Sequence, residues 1–275
     1  MKTLRDRILL CLLLVLTLPL VSIAGCGPTA EAPAIPPVET FVIPFGDFQS
    51  AGADSLVSFA SNQSNWNFAA LSVGFWSTVG TITLAVPVAA FQASFQHTPV
   101  QQDDGSWIWS YSVNAIGATY TAELHAQFDT EVLPEGIHWS MNISKEGEYA
   151  DFLWYYGESN LPATGGFWVL RQSPAVPTDL LQIDWSRNIS AQTHAVKYTN
   201  IVPDGPENGG YIATQYTNGV PYDHIWDIYN KGQDNHTLIQ WSQTTGEGRV
   251  QDSNHFGDDD WHCWDSTRTD VTCPA

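Results

Sequence analysis

A mainly β domain with an N-terminal helical segment, an α+β arrangement, is the fold class this sequence predicts, and three observations predict it. From residue 104 onward, short runs of alternating apolar and polar residues recur, separated by Gly, Asn or Asp. No helix-length segment intervenes, so hairpins rather than crossovers join the strands. Ahead of these runs, residues 55–102 contain no Asp, Glu, Lys or Arg at all.

In chain order, the start is basic (Lys2, Arg5 and Arg7 against Asp6), and residues 8–21 are apolar apart from Thr17 and Pro19. This is the pattern of an export signal, with an apolar core too short for a comfortable permanent span. It ends in Ile23-Ala24-Gly25-Cys26, an aliphatic residue, two small ones and a cysteine. That stretch resembles a bacterial lipobox. The resemblance implies a lipoprotein: a diacylglycerol on the Cys26 thiol, removal of the signal 1–25, and palmitate or a similar acyl chain on the new amino terminus. Gly27 in place of aspartate resembles the outer-membrane sorting signal of enteric-type bacteria, so the expected location is the bacterial cell envelope, at the outer membrane. The membrane is then a partner through its lipid, since two or three acyl chains at about 0.8 kcal/mol per buried CH₂ anchor stably. An ordinary secretory signal with a chance cysteine is the competing reading.

Residues 26–40 carry Pro28, Pro33, Pro36 and Pro37 among small residues and read as a semi-extended tether. Residues 41–275 then form one β-rich domain, divided into the uncharged segment 55–102, a strand meander over 104–252 and a tail over 253–275. With 43% hydrophobic and 12% aromatic residues the chain can bury a sizeable core.

The formal net charge is −19, and loss of the signal makes it more negative. The basic residues that remain (Lys145, Arg171, Arg187, Lys197, Lys231, Arg249 and Arg268) are scattered. No basic stripe exists to release phosphate counterions, which excludes nucleic acid as a partner, and none attracts anionic headgroups.

Residues 66–95 are apolar around most of a helical circumference and need a cover. The expectation is two helices broken near Val86-Pro87, with Pro87 in the first turn of the second. Two alternatives stay open: a strand through Ile82, Thr83, Leu84, Val86 and Val88, and a membrane segment. Ser, Thr, Asn and Gln residues, Gly74, Gly80 and Pro87 weigh against the membrane segment.

The strand runs begin with Trp107, Trp109, Tyr111 and Val113 at period two, then Tyr120, Ala122, Leu124, Ala126 and Phe128, then Ile137, Trp139, Met141 and Ile143. Seven more follow, within 149–156, 167–170, 181–185, 194–201, 211–216, 222–229 and 238–241. About ten consecutive strands make an antiparallel meander, expected to curl strongly or close into a barrel packed on the apolar helices. Trp109, Trp139, Trp154, Trp185, Trp226 and Trp241 sit within these runs. They read as core, or as ligand-facing aromatics that supply a platform for a glycan or a wall for an apolar ligand.

Only Cys263 and Cys273 remain once Cys11 leaves with the signal and Cys26 is acylated. In an exported protein they form a disulfide, whose short loop contributes about 2–3 kcal/mol. Beside them the acidic stretch 252–265 contains His255, Asp258, Asp260 and His262 as weak candidate metal ligands. As a calcium loop it fails, with Phe256 and Cys263 at positions that need oxygen ligands. Nucleophile-elbow, zinc-protease, phosphate-loop and dinucleotide signatures are missing, and no cofactor is implied. The functional expectation is a noncatalytic envelope protein that binds an apolar ligand or acts structurally. A surface glycan-binding or glycan-processing lipoprotein is the alternative.

Overall fold

Among the described residues fourteen strands hydrogen-bond in one antiparallel sheet whose order is the chain order, so each strand pairs with the next one in sequence. The computed structural model describes residues 31–43, 62–129 and 136–274, and for 77–83 the backbone alone. The export signal, Cys26 and residues 27–30 lie outside the described residues. Ala32–Ala275 form one compact unit.

The strands are β1 (Val100–Gln101), β2 (Trp107–Ala115), β3 (Ala118–Asp129), β4 (Gly136–Lys145), β5 (Tyr149–Asn160), β6 (Gly165–Ser173) and β7 (Val176–Asn188). They continue as β8 (Thr193–Asn200), β9 (Tyr211–Tyr216), β10 (His224–Asn230), β11 (Asn235–Trp241), β12 (Gly248–Gln251), β13 (His262–Trp264) and β14 (Asp270–Val271). The ten long strands β2–β11 match the ten runs. The four additional ones are two to four residues long, too short for alternation to show. Among the described residues β1 and β14 are the two edges and do not pair with each other, so the ladder is not closed as a barrel requires.

Period two places one face of each strand in the core. Trp107, Trp109, Tyr111 and Val113 are buried from β2, and Tyr120, Ala122, Leu124 and Ala126 from β3. Their hairpin turns at Ile116-Gly117, where both residues have positive φ (48° and 72°), the left-handed pair that a two-residue hairpin of this twist demands. Alternation breaks in β6, where Trp168, Val169 and Leu170 are buried in succession, and in β5. Met141 pairs with Tyr155 and Asn142 with Leu153, so Trp154 is the extra residue of a bulge and is buried beside Tyr155.

Inward glycines in three strands face tryptophans on the next strand: Gly157 opposite Trp168, Gly166 opposite Trp185, and Gly248 opposite Trp264. A Cβ on Gly157 would lie 2.8 Å from Trp168 Cε3, and one on Gly166 2.8 Å from Trp185 Cζ2. Each indole lies over its glycine, covering the gap that a missing side chain leaves in a sheet.

One helix, α1 (Ser64–Ser94), replaces the expected pair, with Pro87 inside it. Pro87 removes the amide that would bond the carbonyl of residue 83, a cost of about 3 kcal/mol in an exposed helix. Burial of Val86, Pro87, Ala90 and Phe91 on the sheet keeps the helix continuous. Asp270 of β14 caps its start: Ser64 N donates to Asp270 Oδ2 (2.9 Å) and Asn65 N to Asp270 Oδ1 (3.0 Å). Asn65 Nδ2 also donates to the Cys263 carbonyl (2.9 Å). The Cys263–Cys273 disulfide (Cα–Cα 5.1 Å) brackets Asp270, so the staple holds the helix cap in place. Among the described residues no helix is long and apolar enough to cross a membrane.

Residues 32–43 pack on the sheet. Pro33, Pro36, Thr40, Phe41 and Ile43 are buried, and a 3-10 turn spans Val38–Thr40. The expected tether up to residue 40 is therefore part of the domain from Ala32 onward. Proline-rich sequence excludes helix and central strand, but does not stop an extended strap from lying across an apolar surface. The strap is fixed by Tyr198, whose hydroxyl donates to Phe41 O (2.8 Å) and accepts from Ile43 N (3.1 Å).

Candidate ligand-binding site

Where the strap ends, a cavity opens between α1 and the middle of the sheet. Phe75, Trp76 and Leu84 line it from the helix, Leu180 and Leu181 from β7, and Ile212 from β9. Its volume is about 370 Å³, within the roughly 300–1,000 Å³ range of small-molecule sites. Phe75 is 64% exposed and Leu71, one turn earlier, 62%, so apolar surface extends out of the mouth into solvent. Polar groups gather at one rim: Asn200, Glu207, Asn230, and the tyrosines Tyr211 and Tyr229. Tyr211 donates to Asp227 Oδ2 (2.7 Å) and Tyr229 to Asp234 Oδ1 (2.8 Å). Burial first, and then this bond to Asp227, pushes the Tyr211 phenol up to about 12. The site is a wall of apolar side chains with a few fixed polar atoms on one side, which suits an amphiphile or a small apolar molecule.

The ligand-facing tryptophans of the sequence reading go elsewhere. Trp109, Trp139, Trp154, Trp185, Trp226 and Trp241 are all buried in the core. Trp139 Nε1 donates to Ser159 Oγ (2.9 Å), and its ring lies against Trp109 and Trp168. None presents an indole face to solvent, as a sugar platform requires.

The candidate metal ligands are dispersed around Phe256. His262 Nε2 pairs with Asp258 Oδ1 (3.0 Å), and the His262 ring stacks on Phe256 at 3.7 Å. His255 stacks instead on Phe68 of α1, also at 3.7 Å, while Asp260 is exposed and gives its backbone N–H to Asp258 Oδ1 (3.0 Å). The hydrogen bond from His262, with that from the Asp260 amide, holds the Asp258 carboxyl below the usual range. Among the described residues no group of three or more His, Cys, Asp or Glu is placed to share an ion.

A second polar cluster sits on the outer face, where His138 lies between Asp129 Oδ2 (2.5 Å) and Glu158 Oε1 (3.2 Å) beside a cavity of about 160 Å³. Each of its ring nitrogens faces a carboxylate oxygen. Comparison with protein families, with characterised proteins and with solved structures found no match.

Local sequence does not reveal the cavity, because its walls come from positions more than 130 residues apart, on α1, β7 and β9. One local signal exists: Leu180-Leu181, two adjacent apolar residues at the head of the alternating Leu181, Ile183 and Trp185.

Proposed function

We propose that this chain is an envelope lipoprotein, held through acyl chains on Cys26, whose β-rich domain binds an apolar ligand between α1 and β7–β9 without reacting on it. The cavity carries this reading, because apolar walls open to solvent and flanked by exposed Phe75 and Leu71 favour an apolar occupant.

Two measurements test the proposal. An apolar naphthylamine dye should bind saturably, gain fluorescence and be displaced by decanol, and Phe75→Asp should weaken it about tenfold. Phe75 is exposed, so the variant keeps its fold, and an unchanged dye affinity would remove the cavity from the proposal. In a bacterial host the chain should label with palmitate and Cys26→Ser should not; equal labelling of the two would sink the anchor.

A further inference from the structure

The polar rim of the same cavity selects a head group, an inference that rests on the apolar-ligand reading above. Glu207 is the one charged side chain among the lining residues. It has no Lys, Arg or His ion-pair partner among the described residues, and the Gly232 amide donates to its Oε2 (3.3 Å). A side chain on Gly232 would overlap Glu207 Oε1, so the turn after β10 holds the carboxylate where it stands.

Beside it the two rim tyrosines each donate their hydroxyl to a carboxylate, which enriches their rings. Their faces are already taken, Tyr211 by Lys197 Nζ (3.9 Å from its centroid) and Tyr229 by the stacked His236 ring (4.6 Å), which leaves the Glu207 carboxylate as the group that a head can meet. A neutral head would leave Glu207 no better placed than in water. An anionic head would face it at close range, with Lys197 and Lys231 engaged on tyrosine rings and neither lining the cavity. We infer that the cavity takes a cationic amphiphile, an apolar chain lying along Trp76, Leu181 and Ile212 with an ammonium head on the Glu207 carboxylate. The net charge of −19 brings such cations to the surface, and Glu207 orients them.

Decylammonium, decanol and decanoate, each displacing the naphthylamine dye from the full-length protein at low salt, separate the possibilities. The expected order is decylammonium about fivefold tighter than decanol, with decanoate weakest. Glu207→Gln should erase the gap between decylammonium and decanol and leave decanol unchanged. Glu207 is exposed, and glutamine keeps an acceptor for the Gly232 amide, so the fold is retained. A preference that survives Glu207→Gln would come from the overall charge and would overturn the inference, as would decanoate binding tightest. If none of the three displaces the dye, the apolar site itself is lost and the head-group inference falls with it.

Discussion

Trp168→Ala lowers the free energy of unfolding by about 3–5 kcal/mol, the largest loss expected of a single core truncation here. Trp168 is fully buried. Its ring meets Phe41 of the strap (5.9 Å), Phe91 of α1 (5.5 Å), Tyr155 of β5 (5.7 Å) and Trp139 of β4 (6.4 Å). Its Nε1 points at Thr40 Oγ1 (3.4 Å). Three layers therefore lose a shared contact at once, and Gly157 on the neighbouring strand loses its cover. None of these neighbours can collapse into the gap, because the ring sits between a helix, a strap and a sheet fixed by separate hydrogen bonds. Urea unfolding followed by tryptophan fluorescence measures the change, with Ile189→Ala at the exposed β7–β8 turn as a control expected within about 0.5 kcal/mol. A loss below about 1.5 kcal/mol for Trp168→Ala would mean that strap and helix are not held on the sheet as described.

The long strands were legible because each of β2–β11 repeats its inward residue often enough for period two to stand out. Cys263 and Cys273 were legible by elimination. Other features turn on partners that local sequence does not name. Pro87 reads as a helix boundary until Val86, Ala90 and Phe91 are seen buried around it. The strap reads as a tether until Tyr198, more than 150 residues away, is seen bonding both Phe41 and Ile43. Composition shows that the tryptophans are numerous, but burial depends on which face a strand turns inward, and at Trp154 a bulge decides it. The cavity was hidden for the same reason: Phe75, Leu181 and Ile212 become one wall only when helix and sheet are assembled.

The same burial that fills the core with aromatic rings makes the fold sensitive to alkali. Burial raises the phenols of Tyr155, Tyr198 and Tyr111 well above their ordinary 10.0. It carries Tyr149 to about 12, and, together with the bond to Asp227, Tyr211 to about 12. Below pH 10 both folded and unfolded chains hold these protons, and the stabilisation is fully present. Above pH 10 the unfolded chain releases them while the folded chain retains them, so stability falls by up to about 1.4 kcal/mol per pH unit for each fully buried tyrosine. Tyr155, Tyr198 and Tyr111 dominate, at up to about 4 kcal/mol per unit together, because solvent screens the more exposed Tyr149 and Tyr211. Against a total stability of about 5–15 kcal/mol, the domain should unfold cooperatively between about pH 11 and 13. Phenolate absorbance at about 295 nm should then rise in two stages, exposed tyrosines near pH 10 and the buried set together with the loss of tryptophan fluorescence order. Tyr198 is the link to the strap, so unfolding should begin by freeing residues 32–43, seen as early protease cleavage there as the pH rises. A single smooth phenolate titration near pH 10 with the fold intact would show that these hydroxyls are open to water and that the strap does not seal the core.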